Sequence, residues 1–83
     1  MEHYLIIARS VTYAQRMQRV LGRAGIRSRI FRAPRDLTDR GCAYAVQIQA
    51  GELAAALAAL HLASLDPVQV FLSQRGSYQE VGV

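Results

Sequence analysis

The hydrophobic period of this chain changes in the same way twice, and that repeat restricts the fold more than any other feature. Residues 4–8, Tyr4-Leu5-Ile6-Ile7-Ala8, form a continuous β-prone run, the pattern of a strand buried on both faces. Over residues 11–24 the period becomes helical. Tyr13, Met17, Val20, Leu21 and Ala24 share one side, and Gln15, Arg16, Gln18, Arg19 and Arg23 the other. Ser10 or Thr12 offers the N-cap, because a side-chain oxygen there can accept from an orphan first-turn amide. Gly25 supplies the left-handed residue past the last turn, with Ile26 as its apolar partner. Residues 27–32 return to strand, with arginines interleaved around Ile30 and Phe31, a mixture suited to a sheet edge.

A polar loop over residues 33–41, containing Pro34 and Gly41, separates this unit from a second one. Tyr44, Val46 and Ile48 alternate with Ala45, Gln47 and Gln49 as a strand. Gly51 and Glu52 open a helix carrying Leu53, Leu57 and Leu60, which ends before Asp66-Pro67. Val68, Val70 and Leu72 then alternate with Gln69, Phe71 and Ser73 as a fourth strand. The tail, residues 74–83, is polar at first and either frays or adds a short edge strand. Two right-handed crossovers in tandem predict an α+β fold, the ferredoxin-like split βαβ: a four-stranded antiparallel sheet with two helices on one face. The first strand is then expected between the third and the fourth. With 83 residues and 9.2 kDa, the chain has room for a single domain over residues 1–83.

Composition removes several chemistries. The chain is 52% hydrophobic with a net charge of +4, which favours a folded core over disorder. All of its cations are arginine, so a lysine Schiff base or a Walker-type lysine is excluded. One cysteine excludes an internal disulfide, a CxxC pair and a cysteine-based metal site. His3 and His61 are isolated, so no metal and no cofactor is expected. His61 reads as an exposed spectator and His3 as a cap on the first strand. Asp36 and Asp39 stand in a turn-rich loop where carboxylates bond local amides, so no hydrolytic acid/base pair is read there. The apolar run at residues 4–8 is far too short for a secretory leader, and residues 53–65, mostly alanine, fall short of the ~20 a bilayer span needs. Cytoplasmic residence without a membrane partner is the expectation.

Cys42 is the residue on which a sharper reading turns. If the first strand ends where the third begins, Cys42 comes beside the turn at Arg9, Ser10, Val11 and Thr12, which also starts the first helix. Free amides and the positive end of a helix dipole favour thiolate over thiol, and Arg35, Arg40 and the backbone at Gly41 would add to them. Strand parity with Tyr44 directs the Cys42 side chain toward the helices, provided the strand does not begin after Ala43. The bland alternative is a buried cysteine acting as a small apolar filler.

The stretch Ser10-Val11-Thr12-Tyr13-Ala14, then Leu21, Gly25-Ile26, residues 32–37 (Arg-Ala-Pro-Arg-Asp-Leu) and Gly41-Cys42, resembles a family of small bacterial proteins described as selenium/sulfur carrier-like. The likeness runs over residues 4–48, with looser hydrophobic similarity beyond. The family often has glycine after the cysteine, where this chain has Ala43. The resemblance implies a carrier, not a turnover enzyme, that holds sulfur or selenium on Cys42 as a persulfide or selenosulfide. Its partners would be a donor and an acceptor protein.

Two readings from other classes compete. An RNA-binding module is allowed by the pI of about 10.0, and Arg40-Gly41-Cys42-Ala43-Tyr44 loosely echoes an RNA-recognition strand. The stacking aromatics of that motif are replaced by Cys42 and Gln47, and the parity of Tyr44 predicts burial, so nucleic acid ranks below the carrier. A non-catalytic interaction or regulatory domain, forming a homodimer through sheet edges, is the third reading. Phe31 and Phe71 could serve such a surface but are expected to pack within the sheet or under the tail.

Overall fold

The structure, a computed structural model, describes residues 2–34, 37, 43–67 and 69–82. The elements follow the order β1 (His3–Ala8), α1 (Val11–Arg23), β2 (Arg29–Arg32), β3 (Tyr44–Gln49), a 3-10 turn (Ala50–Glu52), α2 (Leu53–Leu62), β4 (Gln69–Gln74) and β5 (Ser77–Glu80). The sheet is antiparallel with strand order β2-β3-β1-β4-β5. β1 lies between β3 and β4, as the tandem crossovers require, and β2 is an edge strand whose Arg29 and Arg32 are exposed.

The sheet has five strands, which corrects the expectation of four. Arg75 and Gly76 have φ of 51° and 82°, and two successive positive φ values make the tight two-residue turn that folds β5 back on β4. All of Ser77–Glu80 is exposed, so no apolar alternation announced this strand. Beyond it the Val81 amide donates to the Val70 carbonyl at 2.8 Å, and Val81 packs against the main core.

Parity divides the sheet. Ile6, Ala8, Val46, Ile48 and Val70 meet Ala14, Met17 and Leu21 of α1 and Ala56 and Leu60 of α2 in one core cluster. On the opposite face Leu5, Ile7, Ala45 and Phe71 form a second cluster closed by Ala33 and Ala43, with Phe31 and Leu37 packed against it. Phe31 and Phe71 thus pack on a face of the sheet, as expected, in the cluster that Leu37 of the β2–β3 connection also joins.

Both helices end alike. In α1 the Ile26 amide donates to the Leu21 carbonyl (2.9 Å) and the Gly25 amide to Gly22 (3.1 Å), with Gly25 at φ 79°. In α2 the Leu65 amide donates to Leu60 (2.9 Å) and the Ser64 amide to His61 (3.0 Å), with Ser64 at φ 57°. Each is a Schellman stop whose buried apolar pair, Leu21 with Ile26 and Leu60 with Leu65, joins the core. Among the described residues no helix is long and apolar enough to cross a membrane.

Candidate functional site

The antiparallel pairing of β1 with β3 sets Ala8 opposite Tyr44, so the chain leaving β1 and the chain entering β3 meet at one end of the sheet. Arg32 of β2 pairs with Tyr44 on the other side, which makes a row of Arg32, Tyr44 and Ala8 across three strands. α1 begins directly beyond this row. Ser10 is its N-cap: the Ser10 hydroxyl accepts from the Tyr13 amide at 3.1 Å, and the Ser10 carbonyl accepts from Ala14 at 3.0 Å. Of the two caps the sequence offered, Ser10 is therefore the one used. Thr12 is exposed within the first turn. With Tyr13 held by Ser10, the amides of Val11 and Thr12 are the first-turn donors for which helical geometry provides no partner.

Arginine gathers at this end of the sheet. The Arg9 guanidinium stands 5.0 Å from the centre of the Tyr13 ring, and that of Arg32 stands 6.0 Å from the Tyr44 ring. Tyr13 and Tyr44 are both half-buried against the helix-side core. In the sequence Arg9 was named only as part of the turn and Arg32 was given no role, because the loop arginines stand nearer to Cys42 along the chain. Only the register between β2 and β3 brings Arg32 into this row. The half-burial of Tyr44 on the helix side agrees with its parity.

Arg35, Arg40, Gly41 and Cys42 lie outside the described residues, as do Asp36 and Asp39. What is described is the frame around them. Ala33 donates its amide to the Ala43 carbonyl at 3.0 Å, continuing the β2–β3 pairing by one step. Leu37 donates its amide to the Pro34 carbonyl at 3.1 Å and sets its side chain on the second cluster. β3 itself begins at Tyr44, after Ala43, so the parity argument that aimed Cys42 at the helices loses its condition.

The two histidines are elsewhere. His3 is the first residue of β1, half-buried at the opposite end of the sheet. His61 is exposed on α2, with Nδ1 3.6 Å from Asp66 Oδ1. Among the described residues no group of three His, Cys, Asp or Glu side chains could hold a metal ion.

Comparison with known proteins returned one family. Its model, described as "Putative Se/S carrier protein-like", matches residues 3–72, from the first residue of β1 into β4. Neither the curated proteins nor the solved structures gave a match. Since the matched stretch takes in most of the chain, including Cys42 and the row at Ala8 and Tyr44, the chain belongs to the Se/S carrier protein-like family.

Proposed function

We propose that Cys42 is the carrier thiol of this protein and passes sulfur or selenium from a donor protein to an acceptor protein. The observation that supports this most is the family match over residues 3–72, in which Cys42 is the only cysteine the chain has. In the reaction, the Cys42 thiolate attacks the outer sulfur of a donor persulfide. An S–S bond forms to Cys42 as the donor's S–S bond breaks, and the donor's thiolate leaves. The acceptor's thiolate takes the sulfur from Cys42 by the same displacement, so each step is redox-neutral and needs no second cysteine, metal or cofactor. A selenosulfide transfers selenium by the same exchange.

Cys42 lies two residues before Tyr44 in the sequence. Tyr44 is paired with Ala8, two residues before the N-cap of α1. On this reading the first-turn amides of Val11 and Thr12 favour the thiolate, with Ser10 holding the turn and Gly41 permitting close approach. Arg35 and Arg40 add positive charge from the loop, and Arg9 and Arg32 from the frame. The same reading takes the chain as one cytoplasmic domain, its first four strands and two helices a ferredoxin-like split βαβ extended by β5.

Intact mass after incubation with a persulfide donor tests the proposal. The wild type gains one sulfur, Cys42→Ser gains none, and selenide with a disulfide donor is run in parallel. Iodoacetamide should alkylate Cys42 appreciably at mildly acidic pH, where a free thiol of pKa ~8.5 is nearly inert. Cys42→Ser should leave stability almost unchanged. A thiol that reacts only in denaturant, with Cys42→Ser costing more than about 1 kcal/mol, would return Cys42 to the core and leave the function unassigned.

A further inference from the structure

At the other end of the sheet lies a basic cleft that carrier chemistry does not use. It has a volume of about 250 Å³ and is lined by His3, Arg27, Ser28, Arg29, Gln47, Ile48 and Gln49. Register explains the convergence. His3 pairs with Gln49 across β1 and β3, and Arg29 pairs with Gln47 across β2 and β3. All four have the parity of Leu5, Ile7 and Ala45, so their side chains leave the face opposite the helices. From His3 to Ala8 is five residues of strand, about 17 Å at 3.3–3.4 Å per residue, which separates the cleft from the row at Tyr44.

We propose that this cleft binds a phosphate group, free or carried as a monoester on a small molecule. Its lining carries two guanidinium groups, that of Arg29 standing 6.0 Å from the centre of the Phe31 ring, with an imidazole and two carboxamides, and no residue lining it bears a carboxylate. The acid next to His3 in the chain, Glu2, is engaged by the Gln74 amide on the β4 side. Two arginines match a dianion, whereas a single carboxylate would use only one fork. The volume falls below the ~300 Å³ at which drug-sized ligands begin to fit, which selects a small headgroup.

Ser28 is the second, independent sign. Its backbone carbonyl is held by Gln18 Nε2 at 3.1 Å, while its hydroxyl is sealed from solvent and has no partner. It is the one buried side-chain polar atom so placed among the described residues, and it stands in the wall of this cleft. That hydroxyl has a hydrogen bond to give, and one χ1 rotation would turn it toward the cleft. Arginines that merely guard a sheet edge need charge alone; they need neither the glutamines nor the concavity.

The test is a ¹⁵N NMR titration at constant ionic strength with inorganic phosphate in one arm and glycerol phosphate in the other. Saturable shifts confined to residues 3, 27–29 and 47–49 are expected, and the tighter arm identifies the source. Arg27→Gln with Arg29→Gln should weaken binding by about tenfold or more, as loss of a charge-assisted hydrogen bond predicts. Arg19→Gln with Arg75→Gln removes the same charge elsewhere and should leave binding unchanged. If the first double variant does not give a folded spectrum, Arg27→Gln alone replaces it, since Arg27 lies outside β2. Non-saturating shifts spread over all arginines, equal losses in both double variants, or no shift in either arm would overturn the proposal.

Discussion

At Ser64 the backbone enters the left-handed region at φ 57°, where Gly25 stands at the matching position of α1 with φ 79°. An L-residue there is disfavoured by about 1–2 kcal/mol, partly offset in glycine by its greater freedom when unfolded. Ser64→Gly should therefore stabilise the protein by about 0.5–1 kcal/mol, a rise in Tm of about 2–8 °C for a chain of this size. Gly25→Ala should cost about 1 kcal/mol or more by urea unfolding. No atom lies within 4 Å of a Cβ built on Gly25, so that cost is backbone strain alone, and Gly25→Asn should recover part of it. The first stop was legible because glycine announces a left-handed residue. The end of the second helix was legible only from Asp66-Pro67 beyond it; its left-handed residue was not, because serine at that position announces nothing, and only Leu60 and Leu65 preserve the pattern.

Among the elements, β5 shows what periodicity misses. Its four residues are exposed, so they carry no apolar alternation, and the turn at Arg75-Gly76 was the one local sign of a hairpin. β1 was legible as a continuous apolar run buried on both faces, and α1 and β3 by the spacing of their apolar residues. The burial of Ala56 in α2 was not, since a helix this rich in alanine and leucine presents an apolar residue in every direction. β5 pairs four residues of β4, from Phe71 to Gln74, and the Val81 amide extends the ladder to Val70. Removing residues 75–83 should leave the β4 edge bare. The truncated chain is expected to lose stability and to elute from a sizing column as dimers or larger species. A monomer of unchanged Tm would show that β5 does not protect that edge.

For the molecule as a whole, the two faces of the sheet are closed by different means. One face takes two helices, and the other takes the β2–β3 connection through Ala33, Leu37 and Ala43. The sequence could not show this, because a loop carries no period from which its resting place can be read. The candidate site was legible only to the extent that strand pairing fixes it. Adjacency of Ala8 and Tyr44 followed from topology, while the contribution of Arg32 required the register. Leu37 joins the loop to the second face, so Leu37→Ala should act on the loop more than on the core. The expected result is a stability loss of about 1 kcal/mol for a half-buried leucine, with a change of at least about twofold in the alkylation rate of Cys42. An unchanged rate would separate the loop's packing from the reactivity of its cysteine.

The central place of β1 also bears on synthesis. Of the five strands described, β1 is made before the others and is the one flanked by β3 and β4, and His3 must wait for Ser73, 70 positions later, before both its sides are covered. At about 5–20 residues per second that interval is about 4–14 s. Throughout it, Leu5, Ile6 and Ile7, each buried in the finished fold, have α1 and β2 as the only completed neighbours for much of the time. β2 does not pair with β1, so no native ladder can form on the first strand until β3 emerges. Vectorial growth therefore keeps the strand made first waiting for both its partners while the chain between them is made.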